Sequence, residues 1–182
     1  MQLNKILGEE RREFILDWLK NSHHPVIGRM IAERTNVSRQ VIVGDISLLK
    51  AKGAPIIATS QGYLYQHHQL NGTTQCFERL IVAKHKPIDV QNELFMIVDH
   101  GVTVKDVIIE HPVYGDLTAS IMVSNRQEVK EFIHKINRTK ASYLSELTDG
   151  VHMHTLVADS KEKLESAFKE LQAAKFLLNE EE

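Results

Sequence analysis

The stretch Gly150-Val151-His152-Met153-His154-Thr155 sets two imidazoles two residues apart. In an extended strand, side chains at that spacing share a face, so His152 and His154 would stand side by side as half of a metal site. The other half lies well upstream. His85 closes the apolar run Leu80-Ile81-Val82-Ala83, and Glu93 follows on what reads as the first turns of a helix. Three histidines and a carboxylate from separate elements suit a borderline divalent transition ion better than calcium or magnesium, which favour oxygen ligands. Taken singly, each histidine reads equally well as a surface residue or a hydrogen-bonded core residue. The pair at strand period sets a metal site level with that plainer reading.

The elements needed to position these groups occupy residues 77–182. The hydropathy pattern gives a strand over 78–84, a helix over 89–99, strands over 102–110 and 116–123, a helix over 125–138, a strand over 151–158 and a helix over 160–175. This β-α-β-β-α-β-α order predicts an α+β fold, an HPr-like open-faced β-sandwich with its helices on one face of a mainly antiparallel sheet. His111 precedes Pro112 and is biased toward an extended conformation, and Val113-Tyr114-Gly115-Asp116 reads as a turn between two strands. A turn histidine bonded to backbone and a contact in an effector pocket both fit His111, and Tyr114 stands beside it. His23, His24, His100 and His134 read as surface residues.

Residues 1–65 have a different character. A helix over 9–21 gathers Phe14, Ile15, Trp18 and Leu19 into one stripe, and Pro25 bars its continuation. A second helix over 27–34 is expected to turn Met30 and Ile31 inward. After Thr35-Asn36-Val37, Ser38 is a good N-cap for a third helix reaching about Lys52. On that helix Ile42, Ile46 and Leu49 face the core. Ser38, Arg39, Gln40, Val43, Gly44 and Ser47 are then left for a DNA groove, with Lys52 near a phosphate. Arg11, Arg12, Arg29, Arg34 and Lys50 are further phosphate partners by charge. Gly53 ends the helix, and residues 54–65 read as a hairpin, completing a winged helix-turn-helix domain. Residues 66–76, containing His67 and His68, read as a linker.

Charge follows the same division. The chain of 182 residues has a net charge of −2, but residues 1–65 hold nine Lys/Arg against six Asp/Glu, and residues 66–182 hold thirteen against eighteen. A basic reader joined to an acidic regulatory domain fits that split. The single Cys76 cannot form a disulfide within the chain. The start, Met1 to Gly8, meets charge before a signal-peptide apolar stretch develops, and no segment approaches the about 18 apolar residues of a membrane span. The expectation is a cytoplasmic protein that uses no membrane, with an acidic tip over 179–182.

Two sets of residues carry a family resemblance. Asn36-Val37-Ser38-Arg39-Gln40-Val41-Ile42, Asp45-Ile46 and Leu49-Lys50-Ala51-Lys52-Gly53 resemble the helix-turn-helix domain of bacterial ligand-responsive repressors. Gly44 departs from that pattern, where a longer polar side chain is usual. Val82-Ala83-Lys84-His85, Glu93-Leu94, Asp106 to Gly115 and Leu144 to Thr155 resemble the three-histidine (3H) domain. The two together resemble the niacin-responsive transcriptional repressors of the NiaR type. The resemblance implies control of NAD-synthesis and niacin salvage or uptake genes, with nicotinic acid as co-repressor. It also implies one divalent metal per chain, nickel or zinc, on His85, Glu93, His152 and His154, and a homodimer on a double-stranded DNA operator. A regulator switched by metal alone remains a second reading. A metal-dependent enzyme is a third, weakened by the lack of a nucleophile–base pair and by the DNA-reading module, so no catalytic residue is expected.

Overall fold

A computed structural model describes residues 7–66 and 76–178. The chain divides into two compact units, Met1–Gly72 and Thr73–Glu182. Nearly all of the expected linker, with His67 and His68, lies outside the described residues, as does the acidic tip over 179–182.

In the first unit, α1 (Gly8–Lys20) buries Arg11, Ile15 and Leu19, one residue per turn. Helix α2 (Gly28–Thr35) ends on Asn36 in the left-handed conformation. Helix α3 (Arg39–Ala51) starts at Ser38, whose hydroxyl accepts from the Val41 N–H. Strands β1 (Ile56–Ala58) and β2 (Tyr63–Tyr65) pair as the antiparallel wing. Ile15, Leu19, Ile31, Ile42, Ile46 and Leu49 meet in one core.

Three expectations for this unit are corrected. Met30 is 49% exposed while its neighbour Ile31 is fully buried, because the buried stripe of α2 runs through Gly28, Ile31, Ala32 and Thr35 and leaves Met30, about 100° round from Ile31, on its outer side. Phe14 and Trp18 are only half-buried, with the Arg34 guanidinium 5.1 Å from the Trp18 ring. Arg11 is not a free phosphate partner. It lies buried with its Nε 2.6 Å from Asp45 Oδ2 and its Nη2 3.3 Å from Oδ1, clamping α1 to α3, and Arg12 reaches Asp45 Oδ1 at 3.3 Å.

The second unit follows the expected order. Strands β3 (Phe77–Lys84), β4 (Thr103–His111), β5 (Gly115–Val123) and β6 (Val151–Ala158) form one antiparallel sheet in the order β3-β6-β4-β5. Helices α4 (Val90–Asp99), α5 (Arg126–Thr139) and α6 (Lys161–Ala173) cover one face. Beneath them Ile81, Leu94, Ile97, Val104, Ile121, Val123, Leu156 and Leu171 form the core. Three short pieces were not foreseen, the first a 3-10 turn at Pro87–Asp89 that leads into α4. A 3-10 turn at Leu144–Thr148 leads into β6, and the segment after α6 adds to the outer edge of β3, with the Leu178 N–H donating to the Val82 carbonyl at 3.0 Å.

Candidate metal centre and DNA-reading surface

Strand alternation sends His152 and His154 to the helix-covered face, where each is only 3% exposed. His152 pairs with Ala83 and His154 with Ile81 across β3. His85 stands just past the end of β3, and Glu93, fully buried in the first turn of α4, meets all three imidazoles. Glu93 Oε2 lies 2.8 Å from His85 Nε2, 3.3 Å from His152 Nε2 and 3.4 Å from His154 Nε2. The ligand atoms of His85, Glu93 and His152 all fall within 4.8 Å of one another. The helix N-terminus adds positive potential at the carboxylate.

Each imidazole is oriented from behind. Nδ1 of His85 lies 3.0 Å from the Lys86 carbonyl, that of His152 2.9 Å from the Gly150 carbonyl, and that of His154 2.6 Å from the Asp106 carbonyl. A carbonyl can only accept, so each Nδ1 carries a proton and each Nε2 of a neutral ring turns its lone pair toward Glu93. Three lone pairs facing one buried carboxylate repel. Three imidazoliums would instead bury a net positive charge, which is also costly. A divalent cation between the donors relieves both problems.

The electrostatics run the same way. Burial pushes the Glu93 carboxyl up, but the charge of His154 and the hydrogen bonds from His152, His154 and His85 override it and hold Glu93 well below the usual carboxylate range. Burial opposes protonation of His85 and His154, yet their bonds and attraction to Glu93 leave both raised. The other carboxylate oxygen, Glu93 Oε1, is buried without a hydrogen-bond partner. An orphaned anionic oxygen beside three oriented nitrogens fits a metal-binding donor set. Bonds of about 2.1 Å place neighbouring donors roughly 3.0–3.4 Å apart in octahedral or tetrahedral geometry, close to the distances from Glu93 Oε2 to the three nitrogens.

Glu93, His152 and His154 also line a cavity of about 130 Å³. Leu94, Val107, Ala119, Ile121, Phe132 and Ile136 make its walls apolar, and Ser142, Tyr143 and Ser145 line it as well. His111 and Tyr114 are not among its lining residues. His111 Nδ1 accepts the N–H groups of Val113 and Tyr114 within the β4–β5 turn, and Tyr114 is 74% exposed. Of the two readings of His111, this geometry matches the turn histidine bonded to backbone, since its Nδ1 is taken up in closing its own turn.

Sequence reasoning missed two positioning residues. Asp106 sits where the β4 register shifts. Its carbonyl orients His154 and its carboxylate accepts the Thr155 N–H at 3.0 Å. An acidic residue inside an apolar strand was the available signal. Gly150, at φ +88°, lies so close to His85 that a Cβ there would stand 2.3 Å from the His85 carbonyl oxygen. The left-handed conformation that follows a turn is where glycine is favoured.

In the first unit, Ser38, Arg39, Gln40, Val43, Gly44, Ser47 and Lys52 are all exposed along α3 and its ends. Ser47 donates its hydroxyl proton to the Val43 carbonyl at 2.9 Å, which leaves its oxygen free mainly to accept. Space around Gly44 is open, with nothing within 4 Å of a Cβ placed there. Among the described residues, no helix is long and apolar enough to cross a membrane.

An HTH domain matches residues 11–64 and a 3H domain matches residues 78–180. The chain is similar to "Transcription repressor NadR" of Bacillus subtilis, with 54% identity over 176 residues, 97% of each chain. It is similar to "Probable transcription repressor NiaR" of Thermotoga maritima, with 39% identity over 176 residues, 97% of this chain and 98% of the other. These relatives are named as repressors and not as enzymes. The chain, an HTH domain joined to a 3H domain, belongs to the NadR/NiaR family of transcription repressors.

Proposed function

We propose that this repressor acts on NAD-synthesis and niacin salvage or uptake genes, with nicotinic acid as co-repressor held beside one divalent transition metal, nickel or zinc, and that it binds its operator as a homodimer. The observation that carries the proposal is the buried cluster of His85, His152, His154 and Glu93, with its orphaned Glu93 Oε1, opening on an apolar cavity of about 130 Å³.

That volume is small against the roughly 300–1,000 Å³ of pockets for drug-sized ligands. It suits one aromatic ring bearing a carboxylate. The walls of Leu94, Ile121, Phe132 and Ile136 offer the ring an apolar surface, while Ser142, Tyr143 and Ser145 supply polar groups. His85, Glu93, His152 and His154 would hold the metal, which when bound supplies positive charge and an open position for an anionic ligand. The carbonyls of Lys86, Gly150 and Asp106 keep the three rings turned toward it.

On the DNA side, Arg39 and Gln40 have the donor patterns that read guanine and adenine edges, and Val43 can meet a thymine methyl. One winged helix covers few base pairs, so specificity calls for two half-sites and two copies. Nicotinic acid must bind the operator-competent state more tightly than the other, because equal affinity for both shifts nothing.

The test is operator binding by metal-loaded and chelator-stripped protein, each with and without nicotinic acid. Tight binding only with both present is the expected result. Full operator binding with metal alone would establish the metal-sensor reading, and no DNA binding under any condition would overturn the repressor assignment itself.

A further inference from the structure

The sheet of the second unit has helices on one face only. On the other face β3 presents Leu80, 56% exposed, and Val82, 37% exposed, while Ile81 and Ala83 point into the core. The strand registers align a row across this face. Leu178 bonds to Val82 at the sheet edge, Val82 pairs with Met153, Met153 with Ile108, and Ile108 with Thr118. Four of those five residues are apolar, and the row is exposed at its edge and half-buried at its centre.

Charge borders the row unevenly. On one side Glu78 and Lys105 already neutralise each other at 2.9 Å. On the other, two residues further along each strand, stand Lys84 on β3 and, across β4 and β5, the facing pair Glu110 and Asp116. Among the described residues, none of these three has an ion-pair partner. Lys84 lies at one end of the border and the two carboxylates at the other.

We infer that this open face is where a second copy of the chain docks, about a two-fold axis parallel to the strands. Such an axis reverses the strand order, so Lys84 of each copy lies over Glu110 and Asp116 of the other, and the apolar rows lie over each other end to end, centred on Met153. It keeps the strands of the two sheets aligned, the usual arrangement for sheets packed face to face. Five strand widths of about 4.8 Å and eight residues at about 3.3 Å give a face of roughly 600 Å² in projection. That is of the order of the about 800 Å² per partner found in stable complexes. Pairing at the sheet edges is disfavoured instead. The edge of β3 is covered by the segment ending at Leu178, and Met122, at φ +51°, kinks β5.

The inference rests on the homodimer proposed above, and sedimentation equilibrium of the full chain separates the two. The double variant E110K/D116K should weaken dimerisation about tenfold or more, since like charges then face each other twice across the axis, and Leu80→Arg should do the same by burying a charge in the apolar face. Adding Lys84→Glu to the double variant restores opposite charges and should recover most of the loss. All the substituted side chains are exposed, so far-ultraviolet dichroism should be unchanged. If Leu80→Arg nevertheless fails to fold, the charge exchange carries the test alone. A dimeric parent whose charge variants dimerise as tightly as it does would overturn this interface alone. A parent that stays monomeric would overturn the dimer with it.

Discussion

Replacing Gly150 by alanine tests whether the turn before β6 sets the geometry of the four-residue cluster. The residue sits at φ +88°, and its new Cβ would meet the His85 carbonyl oxygen at 2.3 Å and the His85 carbonyl carbon at 3.2 Å. The left-handed conformation alone costs about 1–2 kcal/mol for a residue with a Cβ. Relieving the clash means moving one backbone about 1 Å from the other, comparable to overpacking a core, and adds about 1–3 kcal/mol. The movement acts on the Gly150 carbonyl, which orients His152 at 2.9 Å and accepts the His85 N–H at 3.4 Å. Loss of such an outer contact lowers metal affinity about 10–100-fold. Gly115 provides the control. It has φ +69° with nothing within 4 Å of a Cβ, so Gly115→Ala should show the conformational cost alone. Urea unfolding and calorimetric titration with nickel or zinc measure the two effects. The reasoning fails if Gly150→Ala is no less stable than Gly115→Ala, or if it binds metal as tightly as the parent.

Three further expectations concern the first unit and the competition of protons at the cluster. Gly44→Ala should raise the stability of the first unit by about 1 kcal/mol in urea unfolding, because the helix gains a better former and the methyl group meets nothing. Asp45→Ala should lower it by about 3–5 kcal/mol, since Arg11 would remain buried without its carboxylate. Metal affinity should weaken as pH falls from about 8 to about 6, because Glu93 outweighs burial at His85 and His154 and raises both above 6.5, so protons displace the cation from above that value downward. Equal affinity at both pH values would contradict that ordering.

The parts of the fold legible in the sequence are those set by one period and one cap. Ile42, Ile46 and Leu49 recur at helical spacing behind Ser38, and α3 follows directly. The alternation of His152 and His154 against Met153 fixed the face of β6, since a shift by one residue would have turned both imidazoles outward. Charge was a poorer guide. Arg11 read as a phosphate partner on its charge alone, and its burial depends on Asp45, a contact between residues 34 apart that no local pattern reports.

The cluster shows the same limit more sharply. Spacing paired His152 with His154 and the family resemblance added His85 and Glu93, but the property that turns a group of histidines into a cation site is the direction of their lone pairs. That direction is set by three carbonyls, and two of them, those of Gly150 and Asp106, belong to irregular backbone: a left-handed glycine and a shifted strand register. Such features arise from how β3, β4 and β6 are brought together, so the sequence could name the donors without saying how they were aimed. His111 illustrates the converse. It carries the same side chain in a stretch of equally distinctive sequence, yet its Nδ1 accepts from its own turn rather than donating to a carbonyl, and it stands apart from the cluster. An imidazole whose Nδ1 donates to backbone leaves Nε2 as a ligand, and the three histidines around Glu93 meet that condition together.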